Sequence, residues 1–268
     1  MFYKSLFFLI NLFPNLKRLG WKYWYNFISK RFNNDNFRFM NYGYYEKDFS
    51  PTLAITDEDE RYPIQLYHFL AEKVSFKNLD VLEVGSGRGG GASYLAKTFN
   101  PKSICGIDIS SNAIDLCNSL YDQNNLSFKV GDSENLPFLN NSIDIIFNIE
   151  SSHCYPSFEN FIDEIIRVLK PGGYFVYCDL LISKNYNEHI KCFNKKYLKL
   201  ISNTDITQNV INASELMTES RRNLINNSSS GFLKNVLLSF ASVKGSKIFK
   251  SFQEGHYKYI SAVCQKKN

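Results

Sequence analysis

The sequence predicts an α/β fold in which a mostly parallel sheet carries helices on both faces, and three observations predict it. Short apolar segments near 80–84, 103–108, 127–130, 143–148 and 174–179 alternate with helix-period segments, an order that calls for crossovers between parallel strands. The first segment, with Glu83 set into its apolar run, enters Gly85, Gly87, Gly89 and Gly90, and a helix-forming run over 92–99 follows. Strand, glycine turn and helix together bring backbone N–H groups at a helix N-terminus to a ligand; glycine supplies the positive φ and the missing Cβ. Finally, the second strand ends on Asp108, about one βαβ length past the glycines, where a carboxylate accepts from both hydroxyls of a ribose.

At 268 residues with 44% hydrophobic content, the chain can fill one domain with added decoration. Residues 1–38 form an aromatic, basic arm of net charge +6, leaving −1 on residues 39–268. A body without positive charge around its cleft argues against nucleic acid as the partner. The apolar run 2–13 is too short to span a bilayer and stops at Pro14, and residues 15–18 offer no small-residue cleavage site. Over 16–32, Leu16, Leu19, Tyr23, Trp24, Phe27 and Ile28 recur at helical spacing among lysines and arginines, the pattern of an interfacial helix. The same pattern suits a helix packed on the domain or on a second subunit, so residues 1–32 are expected either to touch a membrane peripherally or to pack on protein, homodimer included. The six cysteines show neither a C-x-x-C pair nor metal-ligand spacing, which fits free thiols in the reducing cytoplasm.

Along the body, a tyrosine-rich segment (39–46), an acidic turn (57–60) and a helix near 62–74 lead into the sheet. Gly85, Gly87 and Gly90 satisfy the G-x-G-x-x-G of dinucleotide sites, and Gly85, Gly87 and Gly89 the tighter G-x-G-x-G, so the loop alone leaves the cofactor open. Asp108 also suits the cap of a helix over 112–120. In GDSENLPF (131–138), after the third strand, Asp132 and Ser133 sit where an adenine amino group can be met. An amphipathic helix over 158–169 turns Phe161, Ile165, Val168 and Leu169 inward, and LKPGGYF (169–175) reads as helix stop at Lys170, turn, and strand start at Tyr174. Residues 183–197 and 208–254 read as helices, with a Ser/Asn-rich loop at 226–231; strands are expected near 198–205 and 257–265.

This succession resembles the class I S-adenosylmethionine-dependent methyltransferases over about residues 40–180. Glu83 corresponds to the acidic residue of that family's first strand. WKYWYNFISKRF (21–32), FMNYGYYE (39–46), LEVGSGRGGGASYL (82–95), ENLPF (134–138), ESSHCYPSF (150–158) and DITQNV (205–210) look like the phthiotriol/phenolphthiotriol dimycocerosate methyltransferases, which O-methylate a hydroxyl on a long-chain, polyketide-derived diol lipid. Gly85-Ser86-Gly87 and the Asn/Lys-rich composition depart from that group and mark a distant relative, so the exact lipid is not carried over. The resemblance implies a Rossmann-like, seven-stranded, doubly wound sheet with an antiparallel last strand. It places the domain at 39–268, with a core at 79–180, a helical substrate cap at 183–256 and the last strand at 257–265. The implied cofactor is S-adenosyl-L-methionine, held by Tyr45, Glu83, Gly85, Gly87, Asp108, Ile109, Asp132, Ser133 and Glu150, with residues 42–45 as a lid. A hydrophobic small molecule or lipid is the implied acceptor, and Leu216, Met217, Phe232, Leu233, Val236, Leu237 and Phe240 are candidates for an acyl groove in the cap.

An alcohol needs a base, and His153, a few residues past the fourth strand, titrates near neutrality. Asp179 at the end of the fifth strand is its candidate partner or a second base, a pairing that also resembles a dyad of some natural-product sugar O-methyltransferases. His68, His189 and His256 fall outside these motifs and read as surface residues. Two other functions compete: C-methylation or cyclopropanation of an acyl chain, which wants a bicarbonate site and a cysteine near the glycine loop, and a non-catalytic cofactor-binding subunit. An NAD oxidoreductase leaves the Asp132 and Pro171-Gly172-Gly173 segments without a role.

Overall fold

The computed structural model describes residues 14–32, 37–195 and 197–268. Seven strands form one sheet: β1 (Asp80–Val84), β2 (Ser103–Asp108), β3 (Leu126–Val130), β4 (Ile143–Ile149), β5 (Leu169–Ile182), β6 (Leu198–Asp205) and β7 (Tyr257–Lys266). Their order is β3-β2-β1-β4-β5-β7-β6. The first five are parallel, and β7 runs antiparallel to both β5 and β6. This is the Rossmann-like, doubly wound sheet expected from the sequence, with its topological switch between β1 and β4.

The helices are α1 (Pro14–Arg31), α2 (Arg61–Ala71), α3 (Gly90–Phe99), α4 (Ser111–Leu120), α5 (Phe158–Val168), α6 (Tyr186–Cys192), α7 (Thr207–Leu216), α8 (Thr218–Ser228), α9 (Gly231–Phe240) and α10 (Lys247–Gln253). Strand alternation divides the core into two layers. Val81 of β1 packs with Ile64 and Leu70 of α2 and Val210 of α7, whereas Leu82 and Val84 pack with Phe161 and Ile165 of α5. α5 buries Phe161, Ile162, Ile165 and Val168 as one stripe, and the Ser157 side chain caps it by accepting from the Asn160 N–H.

Three boundaries differ from expectation for local reasons. α5 stops at Val168, not Lys170, because Leu169 is already extended and pairs with Ile143. Pro171-Gly172-Gly173 lies within β5 as an irregularity, the pairing resuming at Tyr174; Gly173 is required because a Cβ would come 2.8 Å from the Asp144 carbonyl. The helical stretch 208–254 is four helices, and the Ser/Asn-rich segment is open only at Ser229 and Ser230.

The arm lies against the body. Ile28 of α1 and Phe32 just after it share a hydrophobic cluster with Ile225 of α8 and Leu237 of α9. Its apolar residues fall into two stripes. Trp21, Tyr25, Ile28 and Phe32 face the domain, while Leu16, Leu19, Tyr23 and Phe27 face outward and are exposed. Residues 2–13, the short apolar run of the sequence, lie outside the described residues. Among those described, no helix is long and apolar enough to cross a membrane.

Candidate active site

A cleft of about 1050 Å³, counted with its open mouth, lies at the C-terminal edge of β1, β2 and β4, where open α/β sheets take their ligands. Gly85 and Gly87 form its floor, Asp108, Ile109, Asp132 and Ser133 one flank, and Glu150 and His153 another. Eight of the expected site residues are thus brought together. Gly85, Gly87 and Gly89 all have positive φ, of 78°, 51° and 78°, whereas Gly90 is helical. The turn therefore uses its glycines at the G-x-G-x-G spacing. Gly90 is small for another reason: a Cβ there would meet the Arg38 carbonyl at 2.7 Å.

Four amides of this turn are already committed. Gly85 and Ser86 donate to the Ile107 carbonyl, Gly87 to Asp108 Oδ2 at 2.9 Å, and Gly89 to the Ser86 carbonyl. A pyrophosphate would need such N–H groups free. What the turn offers instead is space: a Cβ on Gly87 would meet only Met40 Sδ, at 3.5 Å, and both residues line the cleft. The site thus suits an adenosyl ligand without phosphate. Asp108 is not the helix cap, a role taken by Ser110, whose side chain accepts from the Ala113 N–H. Its carboxylate accepts from Gly87 and Ser110 and keeps capacity for further donors.

Two expected cofactor contacts fall elsewhere. Glu83 shares the face of β1 with Val81, beneath α2, where it accepts from Tyr67 Oη at 2.6 Å; it does not line the cleft. Burial pushes its carboxyl up to about 8. Tyr45 is held outside by reciprocal bonds with Asn209 and packs on the Tyr62 ring. From the same segment it is Tyr42 that lines the cleft, its N–H donating to Glu150 Oε2 at 2.7 Å. Glu150 also accepts from Tyr259 Oη, has φ of 48°, and is pushed up to about 8 by burial despite those two donors.

His153 and Asp179 form a pair. His153 Nδ1 lies 2.8 Å from Asp179 Oδ1, and His153 lines the cleft. Asp179, 0% exposed, accepts three more bonds, from Ser152 Oγ (2.6 Å), His153 N (3.0 Å) and Leu180 N (2.7 Å). Burial would raise this carboxyl, but His153 and these donors hold it below its usual range. Burial would likewise lower His153, but Cys154 and Asp179 outweigh it and hold the imidazolium well above its ordinary pKa. Ser152 Oγ lies 3.0 Å from Tyr177 Oη, and Tyr177 Oη 2.8 Å from His189 Nε2. His189 is therefore no surface residue: it stacks on Phe158, and burial lowers it to about 4. His68 is also tied in, by Tyr94 Oη at 2.6 Å.

The sequence pattern missed the inner face of α1. Trp21 and Tyr25 line the cleft, Trp21 meets the His153 ring edge-on at 6.3 Å, and Tyr25 Oη lies 3.5 Å from Cys154 Sγ. Arg18 bridges Asp132 at 3.2 Å and Glu134 at 2.8 Å, while Ser110 Oγ donates to Asn26 Oδ1 at 2.6 Å. The arm is thus the roof of the site. The signal was present as a second helical stripe, 21, 25, 28 and 32. Of the residues expected to line an acyl groove, Leu237 and Phe240 line a cavity, but Leu216 is exposed and Met217 is buried under Gly43; the Phe232 side chain lies outside the described residues.

Residues 82–177 match a family model described as a methyltransferase domain. A phthiotriol/phenolphthiotriol dimycocerosates methyltransferase of Mycobacterium leprae is 35% identical over 243 residues, covering 89% of this chain and 89% of its own. A fatty-acid O-methyltransferase of Mycolicibacterium smegmatis is 33% identical over 237 residues, covering 88% of this chain and 85% of its own. Among solved structures, the geranyl diphosphate C-methyltransferase of Streptomyces coelicolor, in complex with magnesium, geranyl diphosphate and S-adenosyl-L-homocysteine, is similar in fold. Its TM-score is 0.68 at 15% identity, over 93% of this chain and 97% of its own.

Proposed function

The chain belongs to the class I S-adenosylmethionine-dependent methyltransferases, and from that premise we propose that it methylates a hydroxyl oxygen on a lipid or polyketide-type acceptor. The observation that carries the choice of oxygen is the His153–Asp179 pair in the wall of the cofactor cleft. S-adenosyl-L-methionine supplies a methyl group on a sulfonium, a leaving group that needs no proton. The protein's work is then to aim the acceptor and to take its proton.

An alcohol is a poor nucleophile while it keeps that proton. With Nδ1–H donated to Asp179, His153 presents Nε2 as acceptor, and the carboxylate stabilises the imidazolium that results. A carboxylic acid acceptor would already be ionised and would leave this pair without a task. Without ligand, the neighbours of His153 raise its pKa; positive charge entering the cleft opposes that shift and moves the imidazole toward its basic form. Asp108, Ile109, Asp132 and Ser133 are assigned to the adenosyl half, Gly85 and Gly87 to the cleft floor, and Glu150 to the side nearer His153. Trp21, Tyr25 and Tyr42 exclude water above them.

The relatives named for dimycocerosate lipids and for fatty acids support a lipid-like acceptor here. The outward stripe Leu16, Leu19, Tyr23 and Phe27, beside the arm's lysines and arginines, supports peripheral contact with an anionic membrane surface, where such an acceptor resides. The direct test is His153→Gln with labelled cofactor and a long-chain alcohol. Methyl transfer should fall about 10²–10⁴-fold, with affinity for S-adenosylhomocysteine unchanged. A rate within threefold of wild type would remove the proposed base.

A further inference from the structure

A second cavity, of about 600 Å³ counted with its open mouth, lies beside the cofactor cleft between α1, residues 37–42 and the helices α8 and α9. Ile28, Phe32, Leu224, Ile225 and Leu237 supply much of its wall. Its polar lining residues are Asn41, Tyr42 and Arg221. The Arg221 guanidinium donates to the Asn41 and Ala241 carbonyls at 2.8 and 2.7 Å, so it ties α8 to the two neighbouring walls. Asn41 in turn donates to the Pro63 carbonyl and accepts from the Gly43 N–H. Asn41 and Arg221 are thus both engaged with the walls themselves.

We infer that this chamber holds the aliphatic chain of the methyl acceptor, with Met40 and Phe240 as the partition between chain and cofactor. The inference rests on the lipid acceptor proposed above. Continuity carries it: Phe39, Met40, Asn41, Tyr42 and Phe240 line both cavities, so an acceptor with its oxygen near His153 has an apolar space directly beside it. The lining carries it as well: Ile, Leu, Phe and Met side chains make up most of the wall. An empty chamber forfeits the contacts of every side chain around it, and water gains no partners from Ile, Leu and Phe walls. An alkyl chain meets both conditions.

The arm is then a specificity element: one face of α1 closes the cofactor cleft with Trp21 and Tyr25, and its last turns close the chain site with Ile28 and Phe32. Arg221 is a positioning residue that keeps the chamber open by bracing its walls.

The test is direct binding of a conjugated-polyene long-chain alcohol, whose fluorescence reports transfer out of water, to the full chain with S-adenosylhomocysteine present. Competing saturated alcohols should bind up to about fourfold tighter per added methylene until the chamber fills, then level off. Ala241→Trp and Leu224→Trp fill the space from two walls. Each should weaken the probe tenfold or more, with S-adenosylhomocysteine affinity by calorimetry and the thermal midpoint retained. Wild-type affinity for the probe in both folded variants, or absence of probe binding by the wild type, would overturn the inference. Probe binding that responds to both variants, in a protein that methylates no hydroxyl, would count against the proposed reaction and leave the chain site standing.

Discussion

Replacing Asp179 by Asn should damage both stability and turnover, by amounts that follow from the four bonds the carboxylate accepts. Oδ1 receives His153 Nδ1 and Leu180 N, and Oδ2 receives Ser152 Oγ and His153 N. The serine hydroxyl can rotate and the imidazole can change tautomer, but each oxygen also faces one backbone N–H that can do neither. Whichever oxygen becomes an amide NH₂ therefore points a donor at a fixed donor, in a site without water access. Such orphaned donors cost about 1–3 kcal/mol each, and release of the buried charge offsets part of that, so a loss of about 2–4 kcal/mol is expected in urea unfolding. The deficit has a pH signature. Asp179 is held low, so its contribution is present above about pH 4; His153 is held high, so its contribution is present below about pH 6.5. The difference from wild type should be largest between those limits and shrink on either side. Turnover should fall about 10²–10⁴-fold, because His153 loses the partner that fixes its tautomer, and His153→Gln added to Asp179→Asn should cost little more. Asp179 does not line the cleft, so S-adenosylhomocysteine should bind as before. A folded Asp179→Asn protein with a rate within threefold of wild type, or a double variant whose losses multiply, would refute this linkage.

Binding of the cationic S-adenosylmethionine should release protons at neutral pH, because burial pushes Glu150 up to about 8 and a nearby positive charge opposes that shift, as it opposes the raised pKa of His153. Calorimetry in buffers of different ionisation enthalpy should show less release with the uncharged sulfide product, and less with Glu150→Gln. Gly87→Ala places a side chain at φ of 51°, which costs about 1–2 kcal/mol in unfolding, and its methyl enters the cleft, so cofactor affinity should fall by tenfold or more. Glu83 is neutral in the fold near pH 7 and ionised in the unfolded chain, so it makes stability fall as pH rises from about 4.5 to 8. Glu83→Gln should flatten that slope in a pH series of denaturant titrations; an unchanged slope would show that burial does not hold the carboxyl protonated. Leu19→Asp with Phe27→Asp should reduce sedimentation with anionic vesicles while leaving S-adenosylhomocysteine binding intact, and equal sedimentation would remove the membrane role of the outer stripe.

The sheet was legible because parallel strands buried on both faces must be short apolar runs, and helices between them must carry a stripe. The glycine turn and the residues at strand ends were legible for a related reason: Asp108 ends its strand, Asp132, Glu150 and His153 come shortly after theirs, and position at a strand end already decides which edge of the sheet they occupy. Glu83 was misplaced because it lies inside its strand, where alternation assigns it to the α2 layer. Tyr45 was misplaced because four consecutive residues of a loop carry no period, so only the fold decides which of them turns inward. Packing of the arm on the domain was one of the two readings its spacing allowed; its role over the cleft was not legible, because the inner stripe, Trp21 to Phe32, has the same spacing as the outer one. The chamber between arm and cap joins residues some 200 positions apart, Ile28 and Leu237 for example, and no local pattern announces such a meeting.

The chemical position of the transferred carbon is the most direct test of the central claim. With methyl-¹³C S-adenosylmethionine, a long-chain diol and the intact chain, carbon-13 spectra of the extracted lipid should show an ether methyl, absent with His153→Gln. A methyl bonded to carbon, or one found only in an ester, would contradict a hydroxyl acceptor deprotonated by His153.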